Sequence, residues 1–351
     1  MGAATKTTTE DGIRYGYDDQ ILYWIEDIST TSSRKKVVIP HKFKSGETIT
    51  EIGPSFRAYG EISELYISDG ITLISERAFS DTSVFKVRWP STCHEIPEFC
   101  FYNSELKTMT NISGVTKICT GAFRDTKLTS FSWPKKCKII PDECFIYSTL
   151  RTITGIENVI CIGDFAFKNT QLKSIRWPSG CFTISKGCFG GSSLESITNI
   201  EHVTQIEDMA FEFTHITDFF WPDNCNTISA DCFCNSNLRI IQNIQNVEAV
   251  GKRAFAFTKI PIIAWPSKCD TIPEDCFQFS KIEEILGIDN VQRIEKNALK
   301  GAKKLKSLDL TNLIITFIGE GAFNGIEENR IIPTFYLTED VLRRSFKLVC
   351  D

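Results

Sequence analysis

The chain has 351 residues, 42% hydrophobic and 24% charged, with 39 Lys and Arg against 44 Asp and Glu and a net charge of −5. This much apolar material excludes wholesale disorder, and the acidic balance lacks the cationic surplus of a protein that neutralises many phosphates, so no nucleic-acid partner is expected. No apolar run approaches the roughly 18 residues of a membrane helix, and the Thr-rich stretch Met1 to Glu10 has no apolar core of a secretory signal, so neither a membrane span nor a leader is expected.

In chain order, residues 1–36 carry no period and are expected to form an N-terminal capping segment. Val37, Val38, Ile39 and Pro40 read as a degenerate first strand leading to Ile52 and Phe56. A repeat then takes over. Trp-Pro begins at Trp89, Trp133, Trp177, Trp221 and Trp265, and Cys-Phe at Cys100, Cys144, Cys188, Cys232 and Cys276, each in steps of 44 residues. The Phe residues of Ala-Phe and Cys-Phe interleave into a ladder of period 22 from Phe79 through Phe277, continued by Leu299. An aliphatic ladder of the same period runs from Ile74 to Ile294. Eleven turns without an insertion define a solenoid, placed at residues 37–325.

One turn runs from Leu128 to Thr149, and its positions are numbered here from Leu128. Apolar residues at positions one, four and six suit a short strand with one buried face. Those at ten, thirteen, seventeen and eighteen suit a tight return with one short helical or 3₁₀ turn, often entered through Pro97, Pro141 or Pro273. Odd turns carry Trp-Pro at positions six and seven. Even turns carry Asn or Gly and then Ile, as at Asn111, Gly155, Asn199, Asn243 and Gly287. Strands about 4.8 Å apart leave no room for an indole on every turn, so large and small alternate.

Beyond Leu299 the step lengthens, and residues 326–351 are expected to close the stack. Thr338 to Val349 reads as a short helix with a capping Thr, early acids and later bases.

Ten of the 14 cysteines fall at positions ten and seventeen, where even turns place Val and Ala, so they are expected to be buried thiols serving as small apolar core residues. Equivalent cysteines two turns apart lie beyond disulfide reach, which leaves only pairing within a turn, seven residues apart and across the core. The Cys-x6-Cys spacing without His does not suit zinc, so no metal or other cofactor is expected. Reduced thiols favour a reducing compartment. The Thr and Ser residues of position 21, from Thr82 to Ser280, are expected to satisfy backbone groups, since no His or acid recurs beside them for catalysis.

The unit L-x-x-I-x-[IW]-P-x-x-[VC]-x-x-I-x-x-x-[AC]-F resembles the BspA-like leucine-rich repeat of bacterial and protist surface antigens, over Val37 to Gly325. Trp-Pro and Cys-Phe in alternate turns are similar to the protist branch. The resemblance implies an α/β fold: a right-handed leucine-rich-repeat solenoid with a parallel β-sheet on one face and short helical or 3₁₀ turns on the other. It also implies a non-enzymatic, adhesin-like role in binding a host-surface, extracellular-matrix or other partner protein.

In such a repeat, positions two, three and five face solvent. Early turns offer Arg88, Thr110, Ser130, Ser132, Arg151, Thr152, Lys173, Ser174 and Arg176 there. Later turns become apolar, with Phe220, Ile240, Ile262, Ala264 and Leu286 bordered by Arg239, Glu283 and Glu284, the expected protein-binding patch. The missing leader and the reduced cysteines point to the alternative of an intracellular interaction scaffold. No Gly-rich phosphate loop, metal cluster or His–acid pairing suggests an enzyme.

Overall fold

The computed structural model describes residues 4, 6–27, 35–59, 62–334 and 339–346. The chain divides into two compact units, Met1–Gly180 and Cys181–Asp351, each a stretch of β-solenoid built from the same 22-residue turn.

The first unit opens with an antiparallel meander, β1 (Lys6–Glu10), β2 (Ile13–Asp18) and β3 (Ile21–Asp27). The third strand then pairs parallel with β5 (Glu51–Tyr59), while β4 (Lys35–Ile39) pairs parallel with β6 (Ile62–Ile67), so the meander hands over to the parallel stack. Tyr15 and Tyr17 each lie 5.2 Å from the Phe43 ring, closing this end of the core.

Each later turn contributes two parallel strand pieces. The first is a three-residue strand at positions three to five, as in Ser130–Ser132 paired with Thr152–Thr154, and in the second unit Ile262–Ala264 paired with Glu284–Leu286. The second is a two-residue strand at positions twelve and thirteen, as in Ile139–Ile140 paired with Cys161–Ile162. This second column is too short for alternation to betray it in sequence.

The return between strands is less helical than a 3₁₀ turn. Only alternate N–H groups close i→i−3 bonds: Cys100 N to Pro97 O (3.3 Å), Tyr102 N to Phe99 O (3.0 Å) and Ser104 N to Phe101 O (3.2 Å). The intervening ones cross to the next turn: Phe99 N to Thr120 O (3.0 Å), Phe101 N to Ala122 O (2.9 Å) and Asn103 N to Arg124 O (3.1 Å). Positions 16 and 20, the first and last of these three cross-turn donors, have positive φ, as at Phe99 (49°) and Asn103 (52°) or Arg253 (57°) and Phe257 (59°). Left-handed backbone costs a bulky residue roughly 1–2 kcal/mol, and here the inter-turn bonds offset it. Among the described residues the one 3₁₀ helix is Glu328–Arg330 and the one α-helix Glu339–Phe346. Thr338, read as that helix's cap, lies outside the described residues.

The core of each unit is a column of parallel Phe rings. Phe79, Phe101, Phe123, Phe145 and Phe167 stack 5.2–5.9 Å apart at 4–14° in the first unit. Phe189, Phe211, Phe233, Phe255 and Phe277 stack 5.5–6.2 Å apart at 4–15° in the second. Each Trp lies across the column, Trp133 at 6.2 Å from Phe145 and Trp221 at 6.2 Å from Phe233. Its indole N–H donates to the carbonyl of the cysteine four residues on, as in Trp89 to Cys93 (2.9 Å), Trp133 to Cys137 (3.0 Å) and Trp265 to Cys269 (3.2 Å). The Trp-Pro-x-x-Cys spacing is therefore a closed turn as well as a size pattern. The final turn is closed by the C-terminal helix, whose Ser345 carbonyl accepts from Phe323 N (2.9 Å) and whose Phe346 ring lies 5.6 Å from Phe323.

Candidate functional site

Pleating aims position four of each strand into the core and positions three and five outward. Phe219, Ile263 and Ile285 are accordingly buried, while Phe220, Ile240, Ile262 and Leu286 are 59%, 46%, 49% and 51% exposed. Arg239 and Ala264 are exposed too, and Glu284 is half-buried. Register divides them between two columns. Ile240 stands opposite Asp218 and Ile262 opposite Glu284, while Phe220 stands opposite Gln242 and Ala264 opposite Leu286. One outward face thus holds all seven residues, as two broken apolar columns rather than one stripe.

Lys306 Nζ reaches Glu284 Oε1 at 2.9 Å and Glu283 Oε2 at 3.4 Å, and the hydrogen bond to Glu284 raises the Lys306 ammonium pKa. The Glu283–Glu284 border is therefore already paired. The other border is not balanced in this way. Residues 187–238 contain eight Asp and Glu and no Lys or Arg. Within them a groove of about 440 Å³ is floored by Ile197, Phe219, Phe220 and Pro222 and rimmed by Glu201, Asp218 and Asp223. Asp223 accepts from Asn243 Nδ2 at 2.6 Å. The groove offers an exposed aromatic ring beside carboxylates, a setting that takes a cation carried on an apolar stem. The sequence reading reached Phe220 but missed its acidic rim, although the 52-residue gap in Lys and Arg was there to find.

The outward positions of the first unit are hydroxyl-rich and basic, with Thr110, Ser130, Ser132, Arg151, Thr152, Lys173, Ser174 and Arg176 all exposed and Arg88 half-buried.

Glu212, Asp231 and Cys234 bring ligand-type atoms within 4.8 Å of one another. Arg253 already fills the cluster, Nε lying 3.0 Å from Asp231 Oδ1 and Nη2 3.4 Å from Cys234 Sγ. Burial also pushes the Cys234 thiol pKa up, which disfavours the thiolate a metal needs.

The profile of the BspA type leucine-rich repeat region matches six copies, over residues 35–151, 116–239 and 204–330. The chain belongs to this family. No curated protein matches it in sequence. Among solved structures, a leucine-rich repeat protein from Bacteroides ovatus is similar with 19% identity and a TM-score of 0.66, over 91% of this chain and 92% of that one. A leucine-rich cell surface protein from Faecalibacterium prausnitzii has 16% identity and a TM-score of 0.55, over 97% of each chain. At these identities the likeness is one of fold, and it agrees with the BspA-type solenoid built above from the Phe and Ile ladders.

Proposed function

We propose that this BspA-type protein works by binding another protein through the outward strand face of residues 218–286, without chemistry of its own, in an adhesin-like or surface-antigen role toward a host-surface or extracellular-matrix protein. The carrying observation is Phe220, 59% exposed at the edge of a groove rimmed by Glu201, Asp218 and Asp223. Large exposed apolar side chains beside an unbalanced charge give a partner both a desolvation gain and an orientation. Ile240, Ile262, Ala264 and Leu286 extend the contact, with Arg239 and Glu284 at its margin. The favoured partner surface is basic with apolar residues between its cations.

The test is capture from a candidate host-cell surface or matrix extract by the wild-type chain and by Phe220→Ala/Ile262→Ser. Both residues are exposed, so melting should be nearly unchanged. Capture should be lost, and unaltered capture overturns the reading.

A second reading, an intracellular interaction scaffold, draws support from the cysteines: the thirteen described are all thiols, twelve of them buried. Surface biotinylation of intact cells separates the two, labelling favouring display and wholly cytosolic recovery the scaffold.

A further inference from the structure

Charge is distributed unevenly along the first unit. Residues 106–138 hold seven Lys and Arg against one Asp, in a chain whose net charge is −5. Part of this surplus converges on a groove of about 430 Å³ on the outer face of the second strand column, where Lys117, Lys136 and Lys138 stand with Ile139 and Pro141 against a single carboxylate, Glu98. Lys117 is already held by Glu95 at 3.0 Å. Among the described residues no carboxylate pairs with the ammonium of Lys136 or Lys138. Cys137 between them is buried at 2% exposure, while both lysines are exposed and line the groove. Beside them Ile139 is 53% and Ile160 59% exposed.

We infer that this groove binds an extended acidic peptide that carries apolar side chains between its acids. Side chains two residues apart project from the same side of an extended peptide, so two of its carboxylates can face the two amines that line this groove. Two such carboxylates pair with the two amines while an apolar side chain next in line on that same side covers Ile139 and Pro141. The backbone of Ile139–Ile140 is already hydrogen-bonded into its ladder with Cys161–Ile162, so recognition is through side chains rather than by strand addition. The exposed isoleucines favour a peptide over a sulfated polysaccharide, which would use the amines and leave the apolar wall wet.

The test uses the full chain and a fluorescein-labelled decapeptide with Glu at positions two, four and eight, Leu at position six and Thr elsewhere, read by fluorescence anisotropy. Binding should weaken at least about tenfold when Gln replaces Glu in the peptide, when Ser replaces Leu, and in Lys136→Glu/Lys138→Glu. Lys136→Gln/Lys138→Gln serves as a second variant should charge reversal disturb folding, and it should weaken binding in the same direction. Phe220→Ala/Ile262→Ser should bind the peptide as wild type does, which keeps this site apart from the face proposed above. Unchanged affinity in both lysine variants overturns the inference. So does equal affinity for the Ser-containing peptide, tighter binding of a heparin octasaccharide, or loss of peptide binding in the Phe220 variant.

Discussion

Asn243 Nδ2 donates a 2.7 Å hydrogen bond to the carbonyl of Trp221, the residue 22 positions earlier. Asn243 has φ 65°, and Asn111, in the equivalent place, has φ 62° and donates to Trp89 O at 2.8 Å. Where the column carries Gly instead, φ is 77° at Gly155 and 70° at Gly287. The small-residue column of the even turns is thus left-handed backbone, and size alternation beside the Trp is only part of its cause. Asn243→Gly should keep the backbone and lose the bond, costing about 1 kcal/mol. Asn243→Ala should cost about 2 kcal/mol, because it keeps a Cβ in the left-handed region and loses the side-chain hydrogen bond that compensates for it there. Gly155→Ala should cost at least as much, since its Cβ would lie 2.8 Å from the Trp133 carbonyl oxygen. Urea midpoints of the variants measure the order, and an Asn243→Gly variant less stable than Asn243→Ala would contradict it.

The hydroxyls of position 21 do not all bond alike, and residue type alone does not decide it: Ser104 donates to the Phe101 carbonyl at 2.8 Å. Thr126, Thr170, Thr214 and Thr258 donate to the carbonyl of the ladder Phe three residues earlier at 2.8–2.9 Å. Ser148, Ser192 and Ser280 are buried with Oγ lacking a partner among the described residues. Thr258→Val should therefore cost about 1 kcal/mol, whereas Ser280→Ala should be neutral or slightly stabilising, because it removes an unsatisfied polar group. Urea unfolding of the two variants side by side decides it. Equal losses would mean that the Ser hydroxyl is bonded in solution.

What was legible in sequence follows from these cases. Phe and Ile ladders announce a buried column because apolar identity there is chemically obligatory. The backbone bonding expected of the position-21 hydroxyls is made by Ser104 and the threonines but not by Ser148, Ser192 or Ser280. The left-handed position 16 was hard to read. Inter-turn bonds hold the strain, so residues as different as Arg77, Phe99, Glu143 and Met209 occupy it with φ 49–58°. Glycine is not required, although position 20 does carry a mark, with Asn, Asp or Gly at Asp81, Asn103, Asp125, Asn169, Gly191, Asn235 and Gly301. The outward residues around Phe220 were legible from strand alternation. Neutralisation of Glu284 by Lys306 was not, because it depends on a pairing 22 residues away.

Near the N-terminus, Tyr17 Oη donates to Glu47 Oε2 at 2.6 Å. Burial first, and then this bond, pushes the Tyr17 phenol from 10.0 up to about 12, while the bond from Tyr17 and a second from Ser45 hold the Glu47 carboxyl below 4.5. Tyr15 is likewise pushed up to about 12, by burial and then by Glu10 and Asp11. A raised phenol stabilises the fold fully below its unfolded value of 10.0 and loses that contribution as pH rises through about 12. A depressed carboxyl stabilises it above 4.5 and loses the contribution as pH falls through its folded value. Tyrosinate absorbance at 295 nm should show two phenols ionising near pH 12. In Tyr17→Phe one of them disappears, and Glu47 should titrate closer to an ordinary carboxyl by NMR. A Glu47 titration that does not move would show that Tyr17 does not hold it.

Thiol chemistry should separate one cysteine from the rest. Cys144, Cys232 and Cys276 are pushed well above the usual thiol range by burial, whereas Cys161 is exposed on the second strand column. In a Cys350→Ser background at pH 8, Ellman's reagent should modify a single thiol of the native chain. It should do so slowly, because partial burial and then the carboxylates of Asp142 and Asp164 raise the Cys161 pKa. Cys161→Ser should abolish the native signal. Several fast thiols in the native chain would mean that position-seventeen cysteines reach solvent.

Stability in a stack of this kind is a sum of nearest-neighbour terms, so damage should stay local. Phe255 is fully buried, stacked 6.2 Å from Phe233 and 5.6 Å from Phe277, and the same ladder position is filled by Leu299 two turns later. Phe255→Leu should therefore cost about 1 kcal/mol, and Phe255→Ala about 3–5 kcal/mol, because alanine leaves a cavity that flanking rings held by their own turns cannot fill. Hydrogen exchange in Phe255→Ala should show lost amide protection centred on residues 233–277. The turns around Phe101 and Phe123 should stay as protected as in wild type. A uniform loss across the chain would mean that the ladder folds as one cooperative block, and nearest-neighbour stacking would then be the wrong description of this core.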